Sequence, residues 1–213
     1  DRQGLFGTIS SGIVKNVILS DSRITGSDEV GGIVGYSTYS TVQNCHVTNS
    51  VTIHTIEDNA GNHGGIVGQE QLQNRIVSCT SAAQLTIVDG KNASCYGGIV
   101  GQCEKIDVIE NCISNGVSIP NVNNIGAIVG YKANGTLVNN YYRNCTVGGA
   151  TTNVGTKDGD ISTNDGAVQV DAVLSETETV PSNLSGKVVF RREFTGGKAS
   201  TMCLPFAYEK GTD

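Results

Sequence analysis

The chain has 213 residues, of which 28 are glycine and only 16% are charged, and its formal net charge is −6. This composition excludes a coiled coil, a collagen and a charged disordered tail. No apolar run is long enough to span a membrane, and the acidic balance gives no basic surface for the phosphates of a nucleic acid. We therefore expect one or two domains with an ordinary core, no membrane-spanning segment and no nucleic-acid partner.

A five-residue glycine block recurs along the first two thirds of the chain. Its most regular form is Gly-Gly-Ile-Val-Gly, and its closing glycines lie 28 to 33 residues apart. The copies are Gly31–Gly35, Gly64–Gly68, Gly97–Gly101 and Gly126–Gly130, preceded by a shorter first copy of four residues, Gly4–Gly7. Repetition at this spacing is typical of stacked repeats, and the variation in spacing indicates insertions in loops.

A second position recurs ten or eleven residues after each closing glycine. It is occupied by Asn16-Val17, Asn44-Cys45, Ser78-Cys79, Asn111-Cys112 and Asn140-Tyr141, preceded by Val14, Val42, Ile76, Ile109 and Val138. The recurring cysteines are typical of small buried hydrophobic residues, so we predict reduced core thiols. The asparagines either form an amide ladder or occupy left-handed corners, and both interpretations are structural.

A third stretch of alternating apolar residues closes most copies, so each repeat is predicted to contain about three short strands. Its members are Ile24, Val51, Ile53, Leu85, Ile87, Val117 and Ile119. Three strands in about 30 residues cannot enclose a core unless the next copy covers it. The sequence therefore predicts an all-β protein, a β-solenoid (β-helix) of about five coils, in which the glycines serve positive φ angles or close backbone approach. An immunoglobulin-like sandwich is the alternative, but it does not require identical blocks.

The glycine block followed by Ile-x-Asn-Cys resembles the GLUG motif, and the resemblance covers about residues 4–150. GLUG repeats occur in large secreted or surface-attached bacterial proteins, including gut Bacteroidetes proteins and some immunoglobulin A peptidases, where they lie outside the catalytic part. The resemblance implies an extracellular location and a structural or adhesive role, with no catalytic residues to transfer. This chain departs from the motif at Leu5-Phe6, Ala127, Val17 and Tyr141, which lie in the terminal copies, where atypical capping units are expected.

The pattern changes after residue 150. We predict repeats over 1–150, a cap and linker over 151–186, and the start of a second β module over 187–213. In that last part, Lys187–Phe194 and Thr201–Phe206 read as two strands joined by Gly196-Gly197, a β-hairpin. We expect further domains of the same polypeptide beyond it.

Candidate binding residues are few. Tyr36 and Tyr131 directly follow a closing glycine, while Gln69 and Gln102 hold the same position in the intermediate copies, so these four side chains are predicted to lie along one edge. We consider this edge a candidate glycan-binding surface; the alternative is that the tyrosines cover the ends of the core.

The segment from Asp158 resembles the start of a calcium loop. Its candidate ligands are Asp158, Asp160 and Asp165, but it lacks the glycine and the bidentate glutamate of such loops, which favours a solvated turn.

Catalytic motifs are not evident, and the acidic residues are scattered. The inserted loop of the second copy, with Glu57 and Asp58 between His54 and His63, is a candidate catalytic or metal site, and a polar surface loop is the alternative. We therefore predict a non-catalytic, extracellular or cell-surface scaffold without a cofactor, an adhesin-like or spacer domain that presents loops 54–63 and 88–96 to a host surface or glycan. The alternative function is a β-helix polysaccharide lyase or hydrolase.

Two further points concern the environment of the chain. Patterned sequence begins at once and shows no signal peptide, so we expect a secretion signal to have been removed or to lie upstream. Cys95 and Cys103 bracket one glycine block, and whether they form a disulfide depends on a separation that sequence does not give.

Overall fold

The computed structural model describes residues 2–105, 107–151, 167–170, 172–175, 186 and 188–191. The chain divides into two compact units, Asp1–Gln169 and Val170–Asp213. The regular structure of the described residues consists of β-strands. Within that part of the chain, no helix is long and apolar enough to cross a lipid bilayer.

The first unit is a β-solenoid with five short strands in each coil. Coil 1 contains β1 (Phe6–Ser10), β2 (Ile13–Lys15), β3 (Ile18–Leu19), β4 (Arg23–Gly26) and β5 (Asp28–Gly31). Coil 2 contains β6 (Val34–Thr38), β7 (Thr41–Gln43), β8 (His46–Val47), β9 (Thr52–Thr55) and β10 (Ala60–Gly64). Coil 3 contains β11 (Val67–Gln71), β12 (Arg75–Val77), β13 (Thr80–Ser81), β14 (Gln84–Ile87) and β15 (Ala93–Gly97).

The last two coils follow the same plan until the array ends. Coil 4 contains β16 (Val100–Cys103), β17 (Val108–Glu110), β18 (Ile113–Asn115), β19 (Ser118–Ile119) and β20 (Asn123–Gly126). Coil 5 contains β21 (Val129–Lys132), β22 (Thr136–Val138), β23 (Asn140–Arg143), β24 (Thr146–Val147) and β25 (Ala150–Thr151). In the described part of the chain, the solenoid thus has four complete coils and a fifth that is incomplete because β25 does not continue the sheet of β5, β10, β15 and β20. Each complete coil has five strands where about three were predicted.

Equivalent strands of successive coils pair in parallel and form five sheets. Sheet 1 has the order β1-β6-β11-β16-β21, and sheet 2 has the order β2-β7-β12-β17-β22. Sheet 3 runs from β3 through β8, β13, β18 and β23, sheet 4 from β4 through β9, β14, β19 and β24, and sheet 5 from β5 through β10 and β15 to β20. Each strand therefore satisfies its backbone groups mainly with the coils before and after it.

The predicted stacking of the glycine blocks is confirmed. The backbone N–H of Ile33 donates to the carbonyl of Ile66 (3.0 Å), that of Ile66 to Ile99 (2.9 Å), and that of Ile99 to Ile128 (2.9 Å). All four side chains are fully buried. The block therefore forms one continuous apolar ladder along the core, as a repeat without a core of its own requires.

Close backbone approach, rather than positive φ, explains the glycines of the block. A Cβ on Gly32, Gly65 or Gly98 would lie 2.0 to 2.3 Å from the carbonyl oxygen at the same position of the next coil. Ala127 occupies this position in the last copy, and among the described strands none follows β20 in sheet 5. The departure from glycine thus occurs in the copy on which no further described coil stacks.

The asparagine positions are left-handed corners. The φ angles of Asn16, Asn44, Ser78, Asn111 and Asn139 lie between 51° and 60°, a conformation that asparagine tolerates better than most residues. One rung of the amide ladder also forms, because Asn44 Nδ2 donates to Asn16 Oδ1 (2.9 Å). Both interpretations of these residues therefore apply, the corner in every copy and the ladder in one.

The thiol column, which comprises Val17, Cys45, Cys79, Cys112 and Asn140, corrects the predicted alignment of the fifth copy. Ile113 pairs with Tyr141, which places Asn140 rather than Tyr141 beside Cys112. The preceding strand is shifted by the same one residue, because Leu137 is 6% exposed and pairs with Ile109, whereas Val138 is 37% exposed. The sequence alignment was wrong by one residue because Asn140 lies ten residues after its closing glycine, whereas Cys112 lies eleven residues after its own. Such a one-residue slip exchanges the two faces of a strand.

The cysteines that the structure describes are free and buried, which confirms the predicted core thiols. In the thiol column, Cys79 Sγ donates to the carbonyls of Val42 (3.5 Å) and Val77 (3.4 Å). Cys95 and Cys103 are free thiols in different sheets, on β15 and β16.

The end of the array has its own arrangement. β24 and β25 form an antiparallel hairpin around Gly148 and Gly149, whose φ angles of 60° and 82° suit a two-residue turn. β26 (Ala167–Gln169) then adds a parallel strand to sheet 3.

In the second unit, β27 (Ala172–Ser175) pairs in parallel with β28 (Val188–Arg191). β28 lies within the first strand of the predicted hairpin, whereas the second strand lies outside the described residues. The boundaries at 150 and 186 and the separate module remain predictions.

Candidate functional site

The predicted edge exists as a row of four side chains on sheet 1. Tyr36 of β6 pairs with Gln69 of β11, Gln69 with Gln102 of β16, and Gln102 with Tyr131 of β21. The tyrosines and Gln102 are half-buried, and Gln69 is 6% exposed. We call these four residues the outer row, and their placement follows directly from the shared position after the closing glycine.

The glutamines of the outer row are tied together by one carboxylate. Glu104 Oε1 accepts hydrogen bonds from Gln69 Nε2 and from Gln102 Nε2, both at 3.0 Å. Asn62 Nδ2 donates to Gln69 Oε1 at 3.4 Å. These contacts fix the orientation of both amides; since Gln69 is nearly buried, Gln102 is the glutamine of the row that is accessible between the two tyrosines.

Tyr36 is held from two sides. The Arg2 guanidinium lies 3.8 Å from the centre of its ring, and Arg2 also forms an ion pair with Glu29. The Tyr36 hydroxyl donates to Gln71 Oε1 (2.7 Å). Partial burial raises the pKa of Tyr36, against the opposing effect of Arg2. The phenol is therefore neutral at physiological pH and serves as a hydrogen-bonding, stacking group rather than an acid or base.

The two predicted loops, 54–63 and 88–96, stack on each other. Asp58 Oδ1 accepts a hydrogen bond from the backbone N–H of Asn92 (2.8 Å), and the N–H of Asn59 donates to the carbonyl of Asn92 (2.8 Å). The hydrogen bond from Asn92 lowers the pKa of Asp58. A shallow groove of about 270 Å³ lies beside them, lined by Lys91, Asn92, Ala93, Asn121, Val122 and Asn123.

The acidic and histidine residues of loop 54–63 do not converge. His54 is half-buried, and its Nδ1 hydrogen-bonds the hydroxyl of Thr86 (2.8 Å), while Glu57 is exposed. His63 lies inside the core, where its ring stacks on Tyr96 with centroids 4.4 Å apart. Burial lowers the pKa of His63 to about 3. The loop therefore does not form the candidate catalytic or metal site that its sequence indicated.

A buried polar cluster lies where sheet 1 turns into sheet 2, and we call it the polar corner. It consists of two adjacent sets of residues from coils 2, 3 and 4, namely Ser37, Glu70 and Cys103, and Ser40, Asn74 and Asp107. Five of these residues have no exposed surface, and Ser40 is 3% exposed. Such residues are expected inside a protein only with hydrogen-bonding partners.

Asn74 is the centre of this network. Its Oδ1 accepts from Ser37 Oγ (2.8 Å) and from the Ser40 N–H (3.1 Å). Its own N–H and Nδ2 donate to Asp107 Oδ1 at 2.8 and 3.0 Å. Successive coils are thereby linked through side chains as well as through the strand ladders.

Sequence reasoning missed the polar corner. Glu70 and Cys103 each lie two residues after a closing glycine, and Asn74 and Asp107 each lie six residues after one. Aligning the copies on that glycine would therefore have placed each pair in adjacent coils. The signal was hidden because the residue type changes from coil to coil, so no repeated letter marks the position.

The candidate calcium ligands Asp158, Asp160 and Asp165 lie outside the described residues.

Comparison with known proteins gives one result. Residues 26–52 match the family model described as the GLUG motif. The match contains the block Gly31–Gly35 and the Asn44-Cys45 pair. No curated protein and no solved structure matches the chain significantly. The chain thus carries a GLUG motif, and that motif belongs to a β-solenoid whose glycine blocks stack in register.

Proposed function

We propose that this chain is a non-catalytic repeat scaffold of an extracellular or cell-surface bacterial protein, an adhesin-like or spacer segment that presents its side surface to a glycan or a host surface. The in-register stacking of the glycine blocks carries this proposal. Each coil is covered by its neighbours, so a solenoid of this type extends by adding coils without needing a new core. A rod with a repeating side wall suits spacing and display. A secreted protein of the gut Bacteroidetes type would use this segment in the same role.

The outer row supports a glycan as the ligand. The accessible, oriented amide of Gln102 lies in a row with two half-buried tyrosines, and together they offer the hydrogen-bonding and aromatic groups that sugar hydroxyls and apolar sugar faces require. The groove beside loop 88–96 adds amide groups from Asn92, Asn121 and Asn123. Neither surface needs a cofactor.

A polysaccharide-degrading enzyme is the weaker proposal. Such an enzyme needs two carboxylates within reach of the polymer. Glu70 and Asp107 are carboxylates that the fold brings together, yet both have no exposed surface. A polymer cannot reach them, and this favours the scaffold.

A glycan array tests the binding part of the proposal. We expect the wild-type chain to bind a subset of glycans, and the double variant Tyr36→Ala with Tyr131→Ala to lose at least about 10-fold in affinity because it removes both aromatic faces. Tyr39→Ala is the matched control, since Tyr39 is a 52% exposed tyrosine of coil 2 outside the outer row. Absence of binding, or equal binding by the double variant, would remove the outer row as the contact surface.

Two further assays test the scaffold itself. Incubation with acidic and neutral polysaccharides is expected to release no new reducing ends and no unsaturated products. Protease treatment of intact source cells is expected to cleave the protein, as an exposed surface location requires. Polysaccharide cleavage, or protection in intact cells, would contradict the proposal.

A further inference from the structure

The polar corner contains three groups whose chemistry suits a metal ion. One oxygen of Glu70, the Sγ of Cys103 and one oxygen of Asp107 all lie within 4.8 Å of one another. Glu70 belongs to coil 3, whereas Cys103 and Asp107 belong to coil 4. The three side chains have no exposed surface. The group therefore lies at the junction between two coils and is sealed from bulk water.

Asp107 is the carboxyl group of the three that accepts hydrogen bonds. Its Oδ1 accepts two hydrogen bonds from Asn74, and its Oδ2 accepts the backbone N–H of Glu104 (3.2 Å). Burial raises the pKa of Asp107, and these three donors oppose that effect by stabilising the negative charge. Asp107 Oδ2 also lies 3.9 Å from Cys103 Sγ.

Glu70 is the unexplained member. Among the residues that the structure describes, neither of its carboxyl oxygens has a hydrogen-bond partner, although both are buried. Burial and the nearby Asp107 raise its pKa well above the ordinary value. An unpartnered carboxyl group in a sealed interior costs free energy unless a proton or a cation compensates it. One oxygen of this side chain lies within 4.8 Å of the Cys103 thiol and of an Asp107 oxygen, so a cation between them would satisfy all three groups at once.

We propose that Glu70, Cys103 and Asp107 bind one Zn²⁺ ion that joins coil 3 to coil 4. A thiolate together with carboxylates favours zinc over calcium or magnesium, which prefer six or more oxygen ligands. Zinc with ligands at about 2.0–2.3 Å requires donor separations of roughly 3.4–3.8 Å, so the longest distances in the group must shorten by about 1 Å. Rotation about the side-chain bonds of Glu70 and Cys103 supplies this adjustment.

The charge balance supports a divalent ion. Two carboxylates and a thiolate carry three negative charges, and Zn²⁺ neutralises two of them. Lys132 occupies the next position of the same column, in coil 5, and its positive charge lowers the pKa of Cys103 against the raising effect of burial and the two acids. Zinc binding displaces to solvent the thiol proton of Cys103 and the proton that compensates Glu70 in the metal-free protein, so one S–H and one O–H bond break.

The test uses the full chain, unfolded in chelator and refolded with either Zn²⁺ or Co²⁺, followed by gel filtration. We expect the folded wild type to retain about one metal ion per chain and the cobalt form to show a thiolate-to-cobalt charge-transfer band. Cys103→Ala and Glu70→Gln are expected to lose most of the metal, and Cys103→Ala to lose the band. Cys79→Ala removes a buried thiol outside the group and is expected to keep both.

Metal dependence of stability provides the second measurement. Zinc is expected to raise the unfolding midpoint of the wild type and of Cys79→Ala, but not that of Glu70→Gln. Glu70→Gln is nearly isosteric and removes only the charge, so it keeps the test valid if Cys103→Ala folds poorly. The proposal is overturned if folded wild type retains no metal, if the charge-transfer band persists in Cys103→Ala, or if zinc stabilises Glu70→Gln as much as the wild type.

Discussion

The thiol column and the polar corner are both buried in the same coils, yet they use cysteine in opposite ways. Cys45, Cys79 and Cys112 take one position in three consecutive coils, and each Sγ contacts backbone carbonyls that every coil provides. Cys103 instead lies beside Asp107 in a cluster where each coil supplies a different residue. The thiol column repeats one contact, whereas the polar corner functions only as a set.

This difference indicates two kinds of sequence constraint inside one solenoid. A repeated position is limited by the shape of the coil, so a substitution affects one rung and its neighbours. A position in the polar corner is limited by its specific partners, so a substitution leaves other buried polar groups without hydrogen bonds.

The largest expected effect comes from the repeated backbone contact. In Gly65→Ala, the added Cβ would lie 2.1 Å from both the Gly98 carbonyl oxygen and Ser81 Oγ. We expect a loss of about 3 kcal/mol or more in the free energy of unfolding, because backbone must move apart. Gly61→Ala, four residues earlier in β10, is the control, since its nearest neighbour would be 3.7 Å away. Urea denaturation measures both, and equal stability of the two variants would disprove the close-approach explanation.

The next effect tests the polar corner. Asn74→Ala removes the hub that binds Ser37, Ser40 and Asp107. We expect it to cost about 3 kcal/mol, since it leaves several buried groups unpaired. Asn121→Ala, at an exposed asparagine, is the matched control and is expected to change stability by less than about 0.5 kcal/mol. If Asn74→Ala lowers the free energy of unfolding no more than the control does, water must replace the hydrogen bonds of Asn74, which would contradict its role as the centre of the polar corner.

A third prediction concerns another interior position that does not repeat. His63 stacks on Tyr96, whose hydroxyl bonds Thr55, and the core holds its imidazole neutral with a pKa of about 3. The unfolded chain takes up a proton near pH 6.5, so this residue's contribution to stability is lost as pH falls from about 6.5 towards 3.

His63→Phe keeps the aromatic stack and removes the titration. We expect the wild type to lose up to about 3 kcal/mol more than His63→Phe between pH 6.5 and pH 4, measured by denaturation at each pH. The same pH slope in both proteins would show that His63 becomes protonated without unfolding.

The smallest effect is expected in the thiol column. Cys79→Ala removes one sulfur from a ladder whose other contacts remain, and we expect a loss of about 1–2 kcal/mol. A loss equal to that of Asn74→Ala, measured in the same urea series, would erase the distinction between the two regions.

The features that could be predicted from the sequence are those that recur in successive copies of the repeat. The stacking of Ile33, Ile66 and Ile99 and the outer row from Tyr36 to Tyr131 both follow from positions counted from the closing glycine. Strands such as β3 and β8 have two residues each, too few for an alternation to be visible, and this explains why only three strands per coil were predicted.

Other features depend on the fold rather than on local pattern. His63 is polar and lies near an inserted loop, yet it shares an inward position with Val30 and Tyr96 in sheet 5. The polar corner has no repeated residue type, and its carboxylates resemble scattered surface acids until the coils are stacked. These positions become recognisable only when register between coils is known.

The register itself is open to direct measurement. Ile13, Thr41, Arg75, Val108 and Thr136 are successive partners in sheet 2. Nitroxide labels at residues 13 and 136, attached through a keto amino acid so that the buried thiols stay unmodified, would report their separation by double electron–electron resonance. Four strand spacings predict a backbone separation of roughly 19 Å. A distance beyond about 30 Å, after allowing for the label arms, would contradict the stacking of these coils.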